Sequence, residues 1–527
     1  MIETLTLDGS SLTIDTISRA VRHGSVECSL TPDAVHRVVV AREFLESVIH
    51  DRVVYGINTG FGPMSSRVID GSRLTALQYN LIRSHAVGIG EPIDPQAVLA
   101  AMIIRLNTFA RGYSGVSLDL VHALRDFIHH RIIPIVPEHG AVGTSGDLVQ
   151  LAHIALSLIG EGDAWYDGTR QRSAAILQAA GLSPYQLKPK EGLALINGTS
   201  MMTGIGALVC DDTRRLLTLV TRAGAWCLEL VAAYRDGISA SLHHARPQPG
   251  QEYIAEQLRT YVAGSSRLRS RDHIETPSRL FGDTRDSEKI GKEVHELEDG
   301  IQEIYSLRCI PQVLGPIYDM VTHACETIER EMNASTDNPI VDWEHQAILH
   351  GGNFHGDYVA LALDTLKIAV TKATLLMERQ INFFLNENVN QRHYPPFLNL
   401  KTPGLTLALQ GLQFVATSTA ARSQTLSFPQ YVHSISTNAD NQDIVSMGTD
   451  AALIARTVVS HAYIVLAIEL ITLAQATDVL GLRPQLTTSS STLFDEVRKR
   501  FPAIIDDRDT TQELNAFVDW LQHTLVA

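Results

Sequence analysis

The chain has 527 residues, is 45% apolar and 19% charged, and carries a formal net charge of −15. That length allows about three domains or one fused helical body, and the composition is that of a globular enzyme with a large core. An acidic chain without a block of Lys and Arg is poorly suited to gripping a phosphate backbone, so no nucleic-acid partner is expected.

Residues 1–55 are mixed, with a short alternating stretch at Leu5-Thr6-Leu7-Asp8-Gly9. Met1-Ile2-Glu3-Thr4 shows no basic-then-apolar pattern, so no signal peptide is expected. From Ser72 to Arg105 apolar residues recur at helical spacing. Residues 132–146 are rich in Pro, Gly and small side chains and read as a structured loop. Leu148, Leu151, Ala152, Ala155, Leu158 and Ile159 then share one face of a helix predicted over 148–160. Long helical patterns dominate after Met201. One covers 357–386 and would span roughly 45 Å at about 1.5 Å per residue; another covers 445–477. The Arg-rich, polar segment 265–287 is the candidate surface loop. The most apolar stretch, 462–480, is interrupted by Glu469, Gln475 and Asp478, which suits a buried core helix better than a membrane span. Five widely spaced cysteines without metal-ligand spacing predict reduced, mostly buried thiols, no metal and a cytoplasmic setting. The expected fold is mainly α. A smaller mixed N-terminal region, 1–200, joins a long helical bundle, 201–527, in one integrated body.

The segment that points to chemistry is His139-Gly140-Ala141-Val142-Gly143-Thr144-Ser145-Gly146-Asp147-Leu148. Ser145 or Asp147 could simply cap the following helix, and the glycines could serve only unusual backbone angles. A hydrolase nucleophile elbow is excluded, because its second glycine would stand one place later. The segment resembles the cofactor-forming loop of the histidine, phenylalanine and tyrosine ammonia-lyases and related aminomutases. In that family an Ala-Ser-Gly or Thr-Ser-Gly triad cyclises to a methylidene-imidazolone, MIO. The resemblance continues in order through Tyr55-Gly56-Ile57-Asn58-Thr59-Gly60-Phe61-Gly62, Asn80-Leu81-Ile82-Arg83-Ser84-His85 and Ile196-Asn197-Gly198-Thr199-Ser200. It goes on through Gln302 with Tyr305-Ser306-Leu307-Arg308, then Asp337-Asn338-Pro339, Asn353-Phe354-His355-Gly356 and Asn441-Gln442-Asp443. The text around Gly146-Asp147-Leu148-Val149-Gln150-Leu151 and Tyr431-Val432-His433-Ser434 is similar to a bacterial tyrosine ammonia-lyase subgroup.

This resemblance implies that MIO forms from Thr144, Ser145 and Gly146 without a diffusible cofactor. It implies that Tyr55 is the base, with Tyr305 handling protons near the cofactor. A free Tyr titrates near about 10, so either the site lowers that value or the enzyme works best at alkaline pH. Arg308 would hold the substrate carboxylate through two parallel hydrogen bonds. Asn197 and Gln302 would be polar partners, Phe354 a wall, and Gly62, Asn441 and Gln442 further site residues. Ser84-His85 occupies the selectivity position, where His85 either donates to a phenol or packs as a pocket residue. Arg422 stands where the family usually has Glu, which weakens a histidine reading unless Arg422 turns away and pairs elsewhere. The expected activity is conversion of L-tyrosine to 4-coumarate. A tyrosine 2,3-aminomutase, a histidine or phenylalanine lyase, and a non-catalytic helical scaffold are the alternatives. The resemblance also implies a homotetramer with shared active sites and a small amino acid as the partner.

Overall fold

The computed structural model describes residues 2–22, 24–274, 294 and 300–523. Residues 275–287 of the expected surface loop lie outside them. The fold is mainly α, dominated by four long helices at Ser200–Leu230, Ile310–Met332, Asp357–Leu385 and Gly448–Leu480. The chain divides into two compact units, each drawn from three stretches of sequence, and every long helix contributes residues to both.

The first unit comprises 1–213, 321–368 and 426–459. Its opening strand, Ile2–Leu7, pairs in parallel with Ser25–Leu30. The helix Pro95–Ala110 starts with Pro95 at its first turn and the Asp94 carboxylate accepting from Gln96 N–H at 2.7 Å. Every residue from Ala97 to Ala110 is buried, so this helix is core on all sides. Helical spacing over 72–105 is broken in the structure. Leu74–His85 ends, and Ile89–Pro92 forms a strand against Pro137–His139 before the next helix begins. Gly88, Gly90 and Pro92 explain the break, since none sustains a helix interior. The 132–146 loop likewise holds two short strands, Ile133–Pro134 and Pro137–His139. Three helices then pack on one another: Leu74–His85, Leu148–Leu158 and Glu191–Ile196. Their ends carry the segments that meet at the site.

The second unit comprises 214–320, 369–425 and 460–527. Trp226 is fully buried and its Nε1–H donates to Thr477 Oγ1 at 3.1 Å. The Glu229 carboxylate, also buried, accepts from Ser265 Oγ at 2.8 Å, Thr487 N–H at 3.0 Å and Ser490 Oγ at 2.5 Å. These bonds offset the cost of burying its polar oxygens. Residues 265–274 are therefore not a free loop. Arg269 N–H donates to Ala233 O at 2.9 Å, and its guanidinium lies 4.4 Å from the Tyr234 ring centre. Gly448–Leu480 is long and apolar enough to cross a membrane, yet 78% of its most apolar window is buried. Within it Glu469 has no access to solvent, and burial pushes its carboxyl up to about 8. Cys227 Sγ lies 4.0 Å from Glu469 Oε1, and burial raises that thiol as well. All five cysteines are free, four of them buried.

Candidate active site

A cavity of about 1030 Å³ opens in the first unit. The Tyr55–Gly62 loop forms one wall, and the face of Leu74–His85 bearing Leu77, Asn80, Leu81, Ser84 and His85 forms another. Thr144, Ser145 and Gly146 reach it from the loop before Leu148–Leu158. Asn197, Phe354, Asn441 and Gln442 complete the set of expected residues that line it.

The triad sits where two chain turns touch backbone to backbone. Asp147 N–H donates to Gly198 O at 2.8 Å, and Gly198 N–H donates to Ser145 O at 3.1 Å. Gly146 has φ +70°, and a Cβ there would stand 1.9 Å from Gly198 O. Gly198 has φ +137°, and a Cβ there would stand 2.0 Å from Thr336 O. Only glycine fits at either place. A strap of residues 442–449 holds the loop from outside. Gln442 Nε2 donates to Ser145 Oγ at 3.2 Å, Ser446 Oγ to Gly143 O at 3.1 Å, and Met447 N–H to Val142 O at 3.1 Å. The Thr144 hydroxyl is buried without a partner among the described residues.

Asp147 does more than the sequence suggests. It stands at the start of Leu148–Leu158 but makes no side-chain cap there. Its Oδ2 instead accepts from Met201 N–H at 2.8 Å and Met202 N–H at 3.0 Å, in the first turn of Ser200–Leu230. The positive end of that helix suits a carboxylate, and Thr449 Oγ1 bonds its other oxygen. Burial still pushes Asp147 up to about 6, against these bonds and the nearby Arg105. Arg105 is buried with it and donates to Ser200 Oγ and Asn197 O, both at 3.1 Å. Burial lowers the guanidinium to about 10.

Tyr55 OH accepts from Gly62 N–H at 3.0 Å, and Phe61 meets the Tyr55 ring edge-on at 6.3 Å. The loop thus fixes the phenolic oxygen and leaves its proton to be given elsewhere. His85 Nδ1 lies 2.9 Å from Leu81 O and 3.1 Å from Ser84 Oγ. With Nδ1–H donating to the Leu81 carbonyl a neutral ring offers Nε2 as an acceptor, and with Nδ1 accepting from the Ser84 hydroxyl it offers Nε2–H as a donor. Asn197 is buried, and its Nδ2 donates to Asn338 O at 3.2 Å and Asp337 Oδ1 at 3.5 Å.

Four expected residues belong to the second unit and do not line this cavity. Gln302 is exposed. Tyr305, at the start of the short helix Tyr305–Arg308, is 72% exposed. The Arg308 guanidinium lies 5.0 Å from the Tyr305 ring centre, and its Nε has no partner among the described residues. Arg422 is exposed on Gln410–Leu426. Burial, and then the charge of Arg422, lower the neighbouring His461.

Several residues of the site go unnamed in the sequence reading. Leu77 shares a helical face with Leu81 and Ser84, and that spacing was a usable signal. Arg105 and Lys190 gave none, because their partners lie far along the chain.

The family model described as "Aromatic amino acid lyase" matches residues 12–499. A histidine ammonia-lyase of Geobacillus thermodenitrificans is 38% identical over 99% of this chain and 98% of its own. A tyrosine ammonia-lyase of Cupriavidus metallidurans is 37% identical over 98% of this chain and 96% of its own. Among solved structures, tyrosine aminomutase from Streptomyces globisporus superposes with a TM-score of 0.91 at 34% identity, covering 98% of this chain and 97% of that one. The chain is therefore an enzyme of the carbon–nitrogen lyase class and belongs to the aromatic amino acid ammonia-lyase and aminomutase family.

Proposed function

We propose that the enzyme eliminates ammonia from L-tyrosine to give 4-coumarate, using an MIO group made from Thr144, Ser145 and Gly146. The observation that carries this reading is the meeting of Tyr55, the triad and His85 around one cavity. The loop fits the cyclisation. Gly146 has no Cβ and no room for one, Gln442 holds the Ser145 hydroxyl, and the Thr144 hydroxyl takes no part. The Gly146 nitrogen bonds to the Thr144 carbonyl carbon, and two waters leave, one of them carrying the Ser145 hydroxyl. Cyclisation supplies an electrophilic methylene that takes up the substrate amine and makes it a leaving group. Tyr55 removes the β-proton, the carbon–nitrogen bond breaks, and the product is an α,β-unsaturated acid. The phenol of tyrosine donates to His85 Nε2 in the tautomer whose Nδ1–H donates to the Leu81 carbonyl.

Gln302, Tyr305, Arg308 and Arg422 enter this proposal from neighbouring copies in a homotetramer, with Arg308 taking the substrate carboxylate. Arg308 Nε, unpartnered among the described residues, exposed Tyr305, and Tyr358, Leu361 and Ile368 exposed at helical spacing support that assembly. The proposed compartment is the cytoplasm, in keeping with free thiols.

The test is a product assay with tyrosine, histidine and phenylalanine at neutral and alkaline pH, alongside the intact mass. Cyclisation removes roughly 36 Da, a covalent change that the encoded residues do not carry. Dominant 4-coumarate supports the proposal. Urocanate favours a histidine lyase, the reading that the Geobacillus relative supports. Beta-tyrosine favours a mutase. A folded chain at full mass removes the MIO assignment.

A further inference from the structure

Beside Asn197 lies a buried ion pair with no role in the chemistry above. Lys190 and Asp337 are both fully buried, and Lys190 Nζ lies 2.8 Å from Asp337 Oδ1. Burial lowers the Lys190 ammonium, while Asp337 works to raise it. Lys190 also holds φ +79° at the entrance to Glu191–Ile196, a left-handed conformation uncommon for a side chain of this kind. Such a backbone persists where its surroundings over-determine it.

The pair's connection to the cavity runs through Asn197. Asp337 Oδ1 also accepts from Asn338 N–H at 2.7 Å and from Asn197 Nδ2 at 3.5 Å. The other amide proton of Asn197 goes to Asn338 O at 3.2 Å. Both groups facing that end of the amide are acceptors, so it must be the nitrogen. Flipping the amide would set its oxygen against a carboxylate and a carbonyl. Both amide protons are thereby committed inside the protein, and Asn197 Oδ1 is left for the cavity that Asn197 lines.

We propose that Lys190 and Asp337 are positioning residues. They lock the Asn197 amide with its oxygen toward the cavity, where it accepts a hydrogen bond from the ammonium group of the amino acid. Lys190 holds Asp337 in place, Asp337 holds the amide nitrogen, and the amide oxygen selects a ligand bearing an amine. This rests on the proposed function only in taking that cavity as the amino acid site.

The test separates amine from carboxylate recognition. Tyramine, phenethylamine and histamine, and the matching arylpropanoates, are titrated calorimetrically into the native enzyme and two double variants. Lys190→Met with Asp337→Leu removes the pair with apolar groups, since removing one partner alone would strand a buried charge. Lys190→Gln with Asp337→Asn removes the charges but keeps an acceptor at 337. The apolar variant is expected to lose roughly tenfold or more in affinity for the best-bound amine, with arylpropanoate binding unchanged. The Gln/Asn variant is expected to stay within roughly threefold of native for both. Adding Asn197→Ala to the apolar variant is expected to cost nothing further in amine affinity. Equal losses of amine and arylpropanoate, additive losses with Asn197→Ala, or no amine binding by the native enzyme would each overturn the proposal. If the apolar variant does not fold, the Gln/Asn variant decides it: loss of amine binding there, with arylpropanoate binding kept, overturns the acceptor role at 337, and retention supports it. The product assay runs on the same native sample, so 4-coumarate without amine binding discards this inference and keeps the function.

Discussion

Glu469 makes the stability of this enzyme depend on pH in an unusual direction. Its carboxyl is raised from 4.5 to about 8 by burial, and its Oε2 has no hydrogen-bond partner among the described residues. Below pH 4.5 the folded and unfolded chains both hold this proton. Between 4.5 and about 8 only the folded chain holds it, so stability falls as pH rises through that window and levels off above it. Each pH unit of the window is worth about 1.36 kcal/mol, and the whole interval about 5 kcal/mol. Glu469→Gln removes the titration but leaves a buried amide imperfectly paired, at a cost of about 1–3 kcal/mol. The variant is therefore expected to be less stable than native at pH 5, equal near about pH 6, and more stable by about 2–4 kcal/mol at pH 8.5. Urea midpoints of the two proteins, measured from pH 5 to 8.5, give the comparison. Parallel curves for native and variant would show that Glu469 ionises normally in the fold and would refute the reasoning.

Other outcomes follow from the site. Gly198→Ala forces a Cβ to within 2.0 Å of the Thr336 carbonyl and displaces the turn that holds Gly146; mass spectrometry of the purified variant should show the uncyclised mass. Tyr55→Phe should cyclise normally yet lose roughly 10²–10⁴-fold in kcat, as expected for removal of a general base; a kcat near native would dismiss Tyr55 from that role. His85→Leu removes the only acceptor assigned to the phenol. It should lower kcat/KM for tyrosine by roughly tenfold or more while sparing phenylalanine, and equal losses for both would make His85 a packing residue.

The long helices were legible because 357–386 and 445–477 keep one period over many turns, and the structure places helices at Asp357–Leu385 and Gly448–Leu480. The region 72–105 misled, since apolar spacing there runs across Gly88, Gly90 and Pro92 as if the chain did not turn. Short strands such as Pro137–His139 carry too few residues for any period to emerge. At the site, the expected residues that lie in the first unit all line one cavity. Tyr305 and Arg308 matched the motif equally well but lie in the other unit, because sequence order carries no information about which part of a folded chain meets which. Asp147 was legible as a capping residue but not as the cap of a helix that begins over fifty positions later, since that pairing exists only after the loop docks. Glu469 was visible only as an interruption in an apolar run; that its Oε2 meets no donor among the described residues is a property of packing.

The contact between Gly146 and Gly198 ties the proposed covalent chemistry to the fold. On the proposed function, the ring can close only after two turns from distant parts of the sequence have docked through their bare backbones. The covalent change is thus a one-way stamp that each chain receives on reaching its native arrangement there. A preparation's mass spectrum would count the molecules that passed this checkpoint, including any that have since unfolded.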